Sequence, residues 1–194
     1  MTVKRAVQFW ATCAVLALSV FVFAGPDSES FGPAQAAADQ LRSVANADIA
    51  FLPAGVLKSS FKSGDLGGLL AFPTDEVVVS TLSGSQIRQA LERSVALYPS
   101  PNHGFLQLSG LVVTFSKKGS PNKRIVSVTL SGVNLDDAKK YRVAMPGLLA
   151  TGGLGYFTIW GKENVTETLA NKNLETVLKG KSGTEPAPRW RAVD

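Results

Sequence analysis

Two places in this 194-residue sequence are the candidates for acid–base chemistry: the loop around His103 and the adjacent carboxylates Asp75 and Glu76. His103 is the single histidine, and its Pro-Ser-Pro-Asn-His-Gly loop has no defined serine partner, which favours an exposed loop residue over a general base. Asp75 and Glu76 precede a strand and would point to opposite faces, which favours exposed loop charges over an acid–base pair. The sequence therefore predicts no catalytic residue, no metal site and no cofactor.

A glycine-rich segment is the most informative feature for binding. Residues 141–156 read YRVAMPGLLATGGLGY, and the alternation of Tyr141, Val143 and Met145 predicts a strand. The three glycines within residues 152–155 indicate a backbone that takes positive φ angles or passes close to another group. A tight turn between two core elements is the structural alternative to a binding loop.

Length and composition predict one folded domain and argue against a nucleic-acid polymer as partner. The chain is 45% hydrophobic and 18% charged, as in folded domains. Its formal net charge is +5, but the basic residues are scattered apart from three short pairs and are not interleaved with aromatic residues. A surface that binds nucleic acid usually has such a basic stripe.

The N-terminus has the pattern of a secretory signal peptide over residues 1–24. Lys4 and Arg5 precede an uncharged, apolar run from residue 6 to residue 24. Cleavage is predicted after Ala24, because cleavage after Ala36 would divide a predicted helix; an uncleaved membrane anchor is the alternative. Both outcomes predict a periplasmic or secreted protein that meets the membrane only through this segment. Cys13, the single cysteine, lies within it, so the mature protein would contain no disulfide.

Hydrophobic spacing predicts alternating helices and strands after residue 25. One helix is expected to end near Arg42, and Ser83 with Gln86 forms a capping box for a second helix. The outward face of that second helix is expected to carry Arg88, Gln89, Glu92 and Arg93. Strands are expected at residues 48–52, 77–82 and 125–130, with a strand pair within 104–115. Residues 165–178 predict a closing amphipathic helix, and the Pro-rich residues 182–194 predict a surface extension.

Several sequence motifs occur in order along the chain. They are A-D-I-A at 47–50, the pattern of Leu82, Gly84, Ile87, Leu91 and Glu92, G-F-L-Q-L-S-G at 104–110, G-V-N-L-D at 132–136, and the glycine-rich segment at 141–156. Together they resemble the C-terminal, substrate-binding domain of the 5'-nucleotidase family over nearly all of residues 26–180. The resemblance implies an α/β (α+β) fold with mixed β-sheets sandwiched between helices. One such domain is expected over residues 25–194, with a core at about 28–180.

The resemblance also implies where a ligand would bind. In the family, two phenylalanines stack on the nucleotide base, an arginine contacts its phosphate or ribose side, an asparagine follows the first phenylalanine in a P-F-x-N motif, and an aspartate holds the ribose. The positions of this chain that match those five residues hold Thr74, Leu148, Lys58, Glu76 and Leu154 in that order. The glycines of the pattern are kept at Gly55, Gly104, Gly152 and Gly153.

These replacements predict a modified ligand pocket. Stacking on an aromatic ring contributes about 1–3 kcal/mol per base, which threonine and leucine cannot supply. Phe72 and Phe157 lie near the replaced positions in sequence and offer rings that a small register shift would bring in. The expected ligand is nucleotide-related but smaller or more apolar than an ordinary nucleotide. The candidate ligand-binding residues are Lys58, Thr74, Glu76, Gly104, Leu148, Gly152, Gly153 and Leu154.

Three functional hypotheses follow from these features. Full-length enzymes of the family carry a separate N-terminal metallophosphatase domain that holds two metal ions, and this chain has no room for it. The first hypothesis is a ligand-binding module with a degenerate pocket. The second is a substrate-positioning subunit that docks on a separately encoded metallophosphatase, and the third is a structural or protein-interaction scaffold.

Overall fold

The computed structural model describes residues 25–58, 60–61 and 64–194, so the predicted signal peptide lies outside the described residues. Four α-helices span Gly32–Val44 (α1), Gly84–Ser94 (α2), Gly147–Ala150 (α3) and Leu174–Leu178 (α4). Nine strands span Ile49–Pro53 (β1), Glu76–Ser83 (β2), Leu106–Ser109 (β3), Leu111–Ser116 (β4), Ile125–Leu130 (β5), Val133–Asn134 (β6), Lys140–Pro146 (β7), Val165–Asn173 (β8) and Trp190–Val193 (β9). Within the described residues, no helix has the length and apolar character needed to cross a bilayer.

The larger sheet has five strands in the order β3-β1-β7-β2-β8. β1 and β7 are parallel, whereas the pairs β1–β3, β2–β7 and β2–β8 are antiparallel. Both faces of the sheet are covered, because Ile49 and Phe51 of β1 enter one hydrophobic core and Ala50 and Leu52 enter the other. One core includes α2 and residues of the second sheet, and the other includes α1 and α4.

The smaller sheet has four strands in the order β6-β5-β4-β9 and is also mixed. β4 and β5 are antiparallel, whereas β9 runs parallel to β4. The expected fold class, mixed sheets packed with helices, is confirmed.

Local sequence signals account for the first two helices. Pro33 lies in the first turn of α1, where a missing N–H costs nothing, and buried alanines form its core-facing side. The predicted capping box of α2 is present: Gln86 N donates to Ser83 Oγ at 3.2 Å, and Ser83 N donates to Gln86 Oε1 at 3.0 Å. Such reciprocal pairs satisfy backbone donors that would otherwise be unpaired at a helix start.

The predicted helix over residues 165–178 is wrong for most of its length. Residues Val165–Asn173 form β8, and only Leu174–Leu178 are helical. β8 pairs with the open edge of β2, with register shifts that break its alternation. Pairing with a strand about 85–97 residues earlier in the chain therefore overrides the local apolar spacing.

The predicted surface extension is wrong for residues 189–193. Trp190 is buried, and its indole Nε1 donates to Leu106 O at 2.7 Å. Arg189 Nη2 lies 2.7 Å from Asp39 Oδ2 of α1. The C-terminal strand is therefore an edge strand of the smaller sheet that is anchored by Trp190 and Arg189, whereas residues 191–193 are exposed.

The segment before α1 is held against β3 by one buried side chain. Gln107 is fully buried; its Nε2 donates to Pro26 O at 2.8 Å and Glu29 O at 2.7 Å, and its Oε1 accepts from Phe31 N at 3.0 Å. A chain that began after Ala36 would leave this amide without these three partners and would shorten α1.

Candidate functional site

Four loops leave the same edge of the five-stranded sheet. β1 and β7 are parallel, so their carboxyl ends share an edge, and the amino ends of β2 and β3 meet it because these strands are antiparallel to their neighbours. The register pairs Pro53 with Leu106 and Val77 with Pro146. The loops at residues 54–58, 70–75, 102–105 and 147–158 therefore lie side by side, and we call this surface the loop edge.

The glycine-rich loop has the unusual backbone that its sequence predicts. Gly152 has φ +87° and Gly155 has φ +84°, and Leu154 between them has φ +56°. Positive φ is uncommon for a branched side chain such as leucine, whereas aspartate and asparagine tolerate it better. The turn is therefore a distinctive structure in which Leu154 is the residue under strain.

Two buried aromatic residues fix this loop to the core. The Tyr156 hydroxyl donates to Gly104 O at 2.6 Å, and the Trp160 indole donates to Leu149 O at 2.8 Å. Their rings stack with centroids 4.8 Å apart. Burial raises the pKa of Tyr156 well above its ordinary value, so the hydroxyl stays protonated and keeps donating.

Several of the predicted site residues do come together. A Cβ added at Gly104 would lie 3.3 Å from Leu154 O, and one added at Gly153 would lie 2.9 Å from Leu148 Cδ1. A Cβ at Gly55 would lie 3.1 Å from Leu154 Cδ2. The glycine pattern thus has a packing reason: Gly55 and Gly104 allow a close approach to Leu154 of a neighbouring loop, and Gly153 allows the 147–158 loop to fold closely on itself.

Asp75 links the loop before β2 to the glycine-rich loop. Its carboxylate accepts a hydrogen bond from Leu148 N at 3.2 Å. Burial raises the pKa of Asp75 above its usual value, against the opposing effect of the backbone hydrogen bonds. Asp75 is half-buried, so the expected exposed carboxylate is wrong at this position, whereas Glu76 and Thr74 on either side are exposed.

Lys58 lies at the border of the loop edge. Its backbone N–H donates to Leu69 O at 2.8 Å, next to the bridge between Leu57 and Leu70. The side chain is exposed, and no hydrogen bond or salt bridge of the described residues joins it to the other candidate positions. The structure therefore places Gly104 against Leu154 and Gly153 against Leu148, and among the described residues Lys58 makes no hydrogen bond or ion pair with these four.

Arg93 supports the glycine-rich loop from behind, which sequence reasoning missed. Its Nη2 donates to Leu154 O at 2.8 Å, and its guanidinium lies 5.3 Å from the centre of the Tyr156 ring. A side chain at Gly155 would collide with this guanidinium. The expectation that Arg93 faces outward is wrong, because the helical period of α2 gives no information on a loop that returns about 60 residues later.

Within the described residues, no group of three or more His, Cys, Asp or Glu side chains is placed to hold a metal ion. These residues therefore do not fit a dinuclear phosphatase centre. The loop edge instead presents apolar side chains and hydrogen-bonding groups that a ligand could contact.

A family model for the 5'-nucleotidase C-terminal domain matches residues 26–161. This match covers most of the chain, including all four loops of the site. The chain belongs to the 5'-nucleotidase C-terminal domain family.

Relatives and solved structures agree with this assignment. A 5'-nucleotidase-related protein of Glossina morsitans morsitans is 39% identical over 123 residues, which cover 57% of this chain and 22% of that protein. The snake venom 5'-nucleotidase of Naja atra is 35% identical over 88 residues, 41% of this chain and 17% of that protein. The crystal structure of a 5'-nucleotidase precursor from Thermus thermophilus superposes with a TM-score of 0.66 at 23% identity, over 86% of this chain and 36% of that one. The chain thus spans about a fifth of the length of these curated relatives.

This member of the family presents its own apolar surface at the loop edge. Three large apolar side chains are exposed there: Phe72 at 56%, Leu148 at 45% and Phe157 at 75%. A Cβ at Gly152 would lie 2.7 Å from Phe157 Cα, so Phe157 packs directly on the glycine-rich turn. Aromatic rings are therefore present at the loop edge, although Thr74 and Leu148 occupy the positions at which the family pattern has phenylalanine.

Proposed function

We propose that this domain is a binding module for a nucleoside-like ligand and that its own residues position the ligand without cleaving it. The observation that carries the proposal is the loop edge itself: four loops of a 5'-nucleotidase C-terminal domain meet there and expose Phe72, Leu148 and Phe157. Exposed aromatic rings offer faces on which a base can stack, and stacking is tolerant of base identity.

The chemistry around these rings favours a nucleoside or base over a charged nucleotide. Leu154 offers no side-chain acceptor to a ribose hydroxyl, unlike the aspartate of the family pattern. Glu76 is exposed beside Asp75, and two carboxylates would repel a phosphate that approached them. Lys58 retains a positive charge but lacks the planar fork with which arginine binds phosphate.

A second candidate function is substrate positioning for a metallophosphatase domain. The exposed apolar side chains of the loop edge favour it, because apolar surface of this kind commonly marks an interaction site. In this case the loop edge would close against the catalytic domain, and hydrolysis would be a property of the pair. A scaffold role without a ligand is the remaining alternative.

We further propose that the domain functions outside the cytoplasm, in the periplasm or after secretion. The signal-peptide pattern of residues 1–24 supports this location, and a matched relative is named as a venom protein. The contacts of Gln107 with residues 26–31 support a mature chain that begins near Gly25, because cleavage after Ala36 would remove them.

Calorimetric titration of the purified protein with adenosine, adenine and AMP tests the first proposal. We expect saturable binding of adenosine or adenine in preference to AMP. Phe72→Ala and Phe157→Ala should each weaken binding by about 5- to 150-fold, the equivalent of one lost stacking contact. Val133→Ala is the matched control, since Val133 is a comparably exposed apolar residue on the smaller sheet.

Two results would contradict the binding proposal. One is the absence of binding for all three compounds at millimolar concentration. The other is an equal effect of Val133→Ala and the two phenylalanine variants. Pull-down with a purified metallophosphatase domain of the same family then tests the second candidate, and a Phe157→Asp variant should abolish that complex.

A further inference from the structure

A pocket lies where the smaller sheet meets the segment before α1 and the turn after α2. Its volume is about 310 Å³, which is at the lower end of the size of small-molecule sites, roughly 300–1,000 Å³. None of its lining residues belongs to the loop edge. The lining includes Glu29, Ser30, Tyr98, Phe115, Lys117 and Trp190.

Aromatic side chains form the apolar part of this pocket. Phe115 and Trp190 are buried, so they form its floor, and their rings meet edge to face with centroids 5.9 Å apart. Tyr98 packs edge to face on Phe115 at 4.9 Å and is only half-buried. Part of the Tyr98 side chain is therefore available to an apolar group of a ligand.

Hydrogen bonds hold the wall of the pocket that carries Glu29. The neighbouring Ser30 Oγ accepts from Arg189 N at 3.0 Å and from Trp190 N at 2.9 Å, which ties the segment to β9. Glu29 O accepts from Nε2 of the buried Gln107 at 2.7 Å. The backbone of this wall is thus fixed in the absence of a ligand, which lowers the entropic cost of binding one.

Two opposite charges line the pocket without pairing with each other. The Glu29 side chain is exposed and forms no salt bridge within the part of the chain that the structure describes. Lys117 Nζ lies 3.4 Å from Asp194 Oδ1, but both side chains of that pair are exposed, so the pair is weak and leaves the ammonium available. A ligand with one charge would be repelled by one of the two pocket side chains, whereas a ligand with both charges can pair with each of them.

We propose that this pocket binds a free α-amino acid with an apolar or aromatic side chain. The ligand ammonium pairs with the Glu29 carboxylate, and the ligand carboxylate pairs with the Lys117 ammonium, where it competes with the exposed Asp194. The ligand side chain packs on Tyr98 above the aromatic floor. This site goes beyond the proposed function and does not depend on it.

Backbone-amide NMR during titration with L-phenylalanine at pH 7 tests this inference. We expect saturable shifts that report one affinity at the amides of Glu29, Tyr98 and Lys117. N-acetyl-L-phenylalanine lacks the ammonium and L-phenylalaninamide lacks the carboxylate, so each should bind at least about fivefold more weakly, the equivalent of one hydrogen bond.

Two variants of exposed side chains test the assigned partners. Glu29→Gln and Lys117→Met should each weaken the binding of L-phenylalanine at least about fivefold. Glu29→Gln should not weaken the binding of N-acetyl-L-phenylalanine, because that compound has no ammonium that could lose its partner. The matched controls are Glu163→Gln and Lys118→Met, since both residues are exposed and neither lines the pocket.

Three results would overturn the inference. The first is the absence of saturable shifts with L-phenylalanine at millimolar concentration. The second is equal affinity for L-phenylalanine, its N-acetyl derivative and its amide, since the pocket would then not recognise the two charges. The third is a control variant that weakens binding as much as Glu29→Gln and Lys117→Met, since general surface charge would then account for the binding.

Discussion

Replacing Arg93 with methionine should loosen the glycine-rich loop while leaving the rest of α2 intact. Methionine keeps the helical propensity and much of the apolar stem of arginine. It removes the donor to Leu154 O and the cation above the Tyr156 ring. The loop would then depend on the Tyr156 and Trp160 hydrogen bonds and on the hydrogen bond from Leu148 N to Asp75.

The expected loss follows from these two contacts. A hydrogen bond that involves a charged group contributes about 1.5–3 kcal/mol, and a partly exposed cation–π contact adds about 0.5–1 kcal/mol. The loop should therefore lose about 2–4 kcal/mol of local stability, equivalent to roughly 30- to 800-fold faster exchange of its amides. If the loss extends to the whole domain, Tm should fall by about 2–4 °C for each kcal/mol.

Hydrogen exchange at residues 152–156 and thermal unfolding measure these effects. Arg88→Met is the matched control on the same helix, because Arg88 forms only an exposed salt bridge with Asp137 at 3.1 Å, which contributes about 0–1 kcal/mol. If exchange in the loop is unchanged in Arg93→Met, or if Arg88→Met lowers Tm equally, Arg93 does not support the loop.

Three other predictions concern the carboxylate link, the N-terminal segment and the strained leucine. The pKa of Asp75 is raised above 3.8 by burial, so the native state disfavours the charged form and loses stability as pH rises through that pKa. Asp75→Asn keeps an acceptor for Leu148 N but cannot ionise. The free energy of unfolding of this variant, measured in urea relative to wild type, should therefore increase as the pH is raised from 3.5 to 7. A difference that does not change with pH would refute the reasoning. Gln107→Leu removes three hydrogen bonds to residues 26–31, so it should lower the free energy of unfolding by about 2–4 kcal/mol in the same assay. A decrease below about 1 kcal/mol would show that this side chain does not hold the segment. In Leu154→Asp, the new residue tolerates the positive φ and provides an acceptor for a ribose hydroxyl. Calorimetry should therefore show adenosine binding at least about fivefold more tightly. An unchanged affinity would place Leu154 outside the ligand surface.

The sequence was most informative where the signal is local or belongs to the whole family. The capping box of α2 needs only Ser83 and Gln86, which are three residues apart, and it forms as expected. The glycine-rich segment predicted positive φ angles, and they occur at Gly152 and Gly155. The ordered motifs predicted the mixed-sheet domain, which the family match confirms over residues 26–161.

Contacts between distant parts of the chain decided what the sequence left open or predicted wrongly. Residues 165–173 have helical spacing but complete the edge of β2, and Trp190 pairs with Val113 although its segment is rich in proline. The helical spacing of α2 alone assigned Arg93 to the solvent face. It could not show that Arg93 binds a carbonyl that lies 61 residues further along the chain. Local sequence determines which conformations a segment can adopt, but a hydrogen bond or a buried contact also depends on its partner. At the loop edge those partners lie on four different loops, so only the folded chain shows which residues form the site.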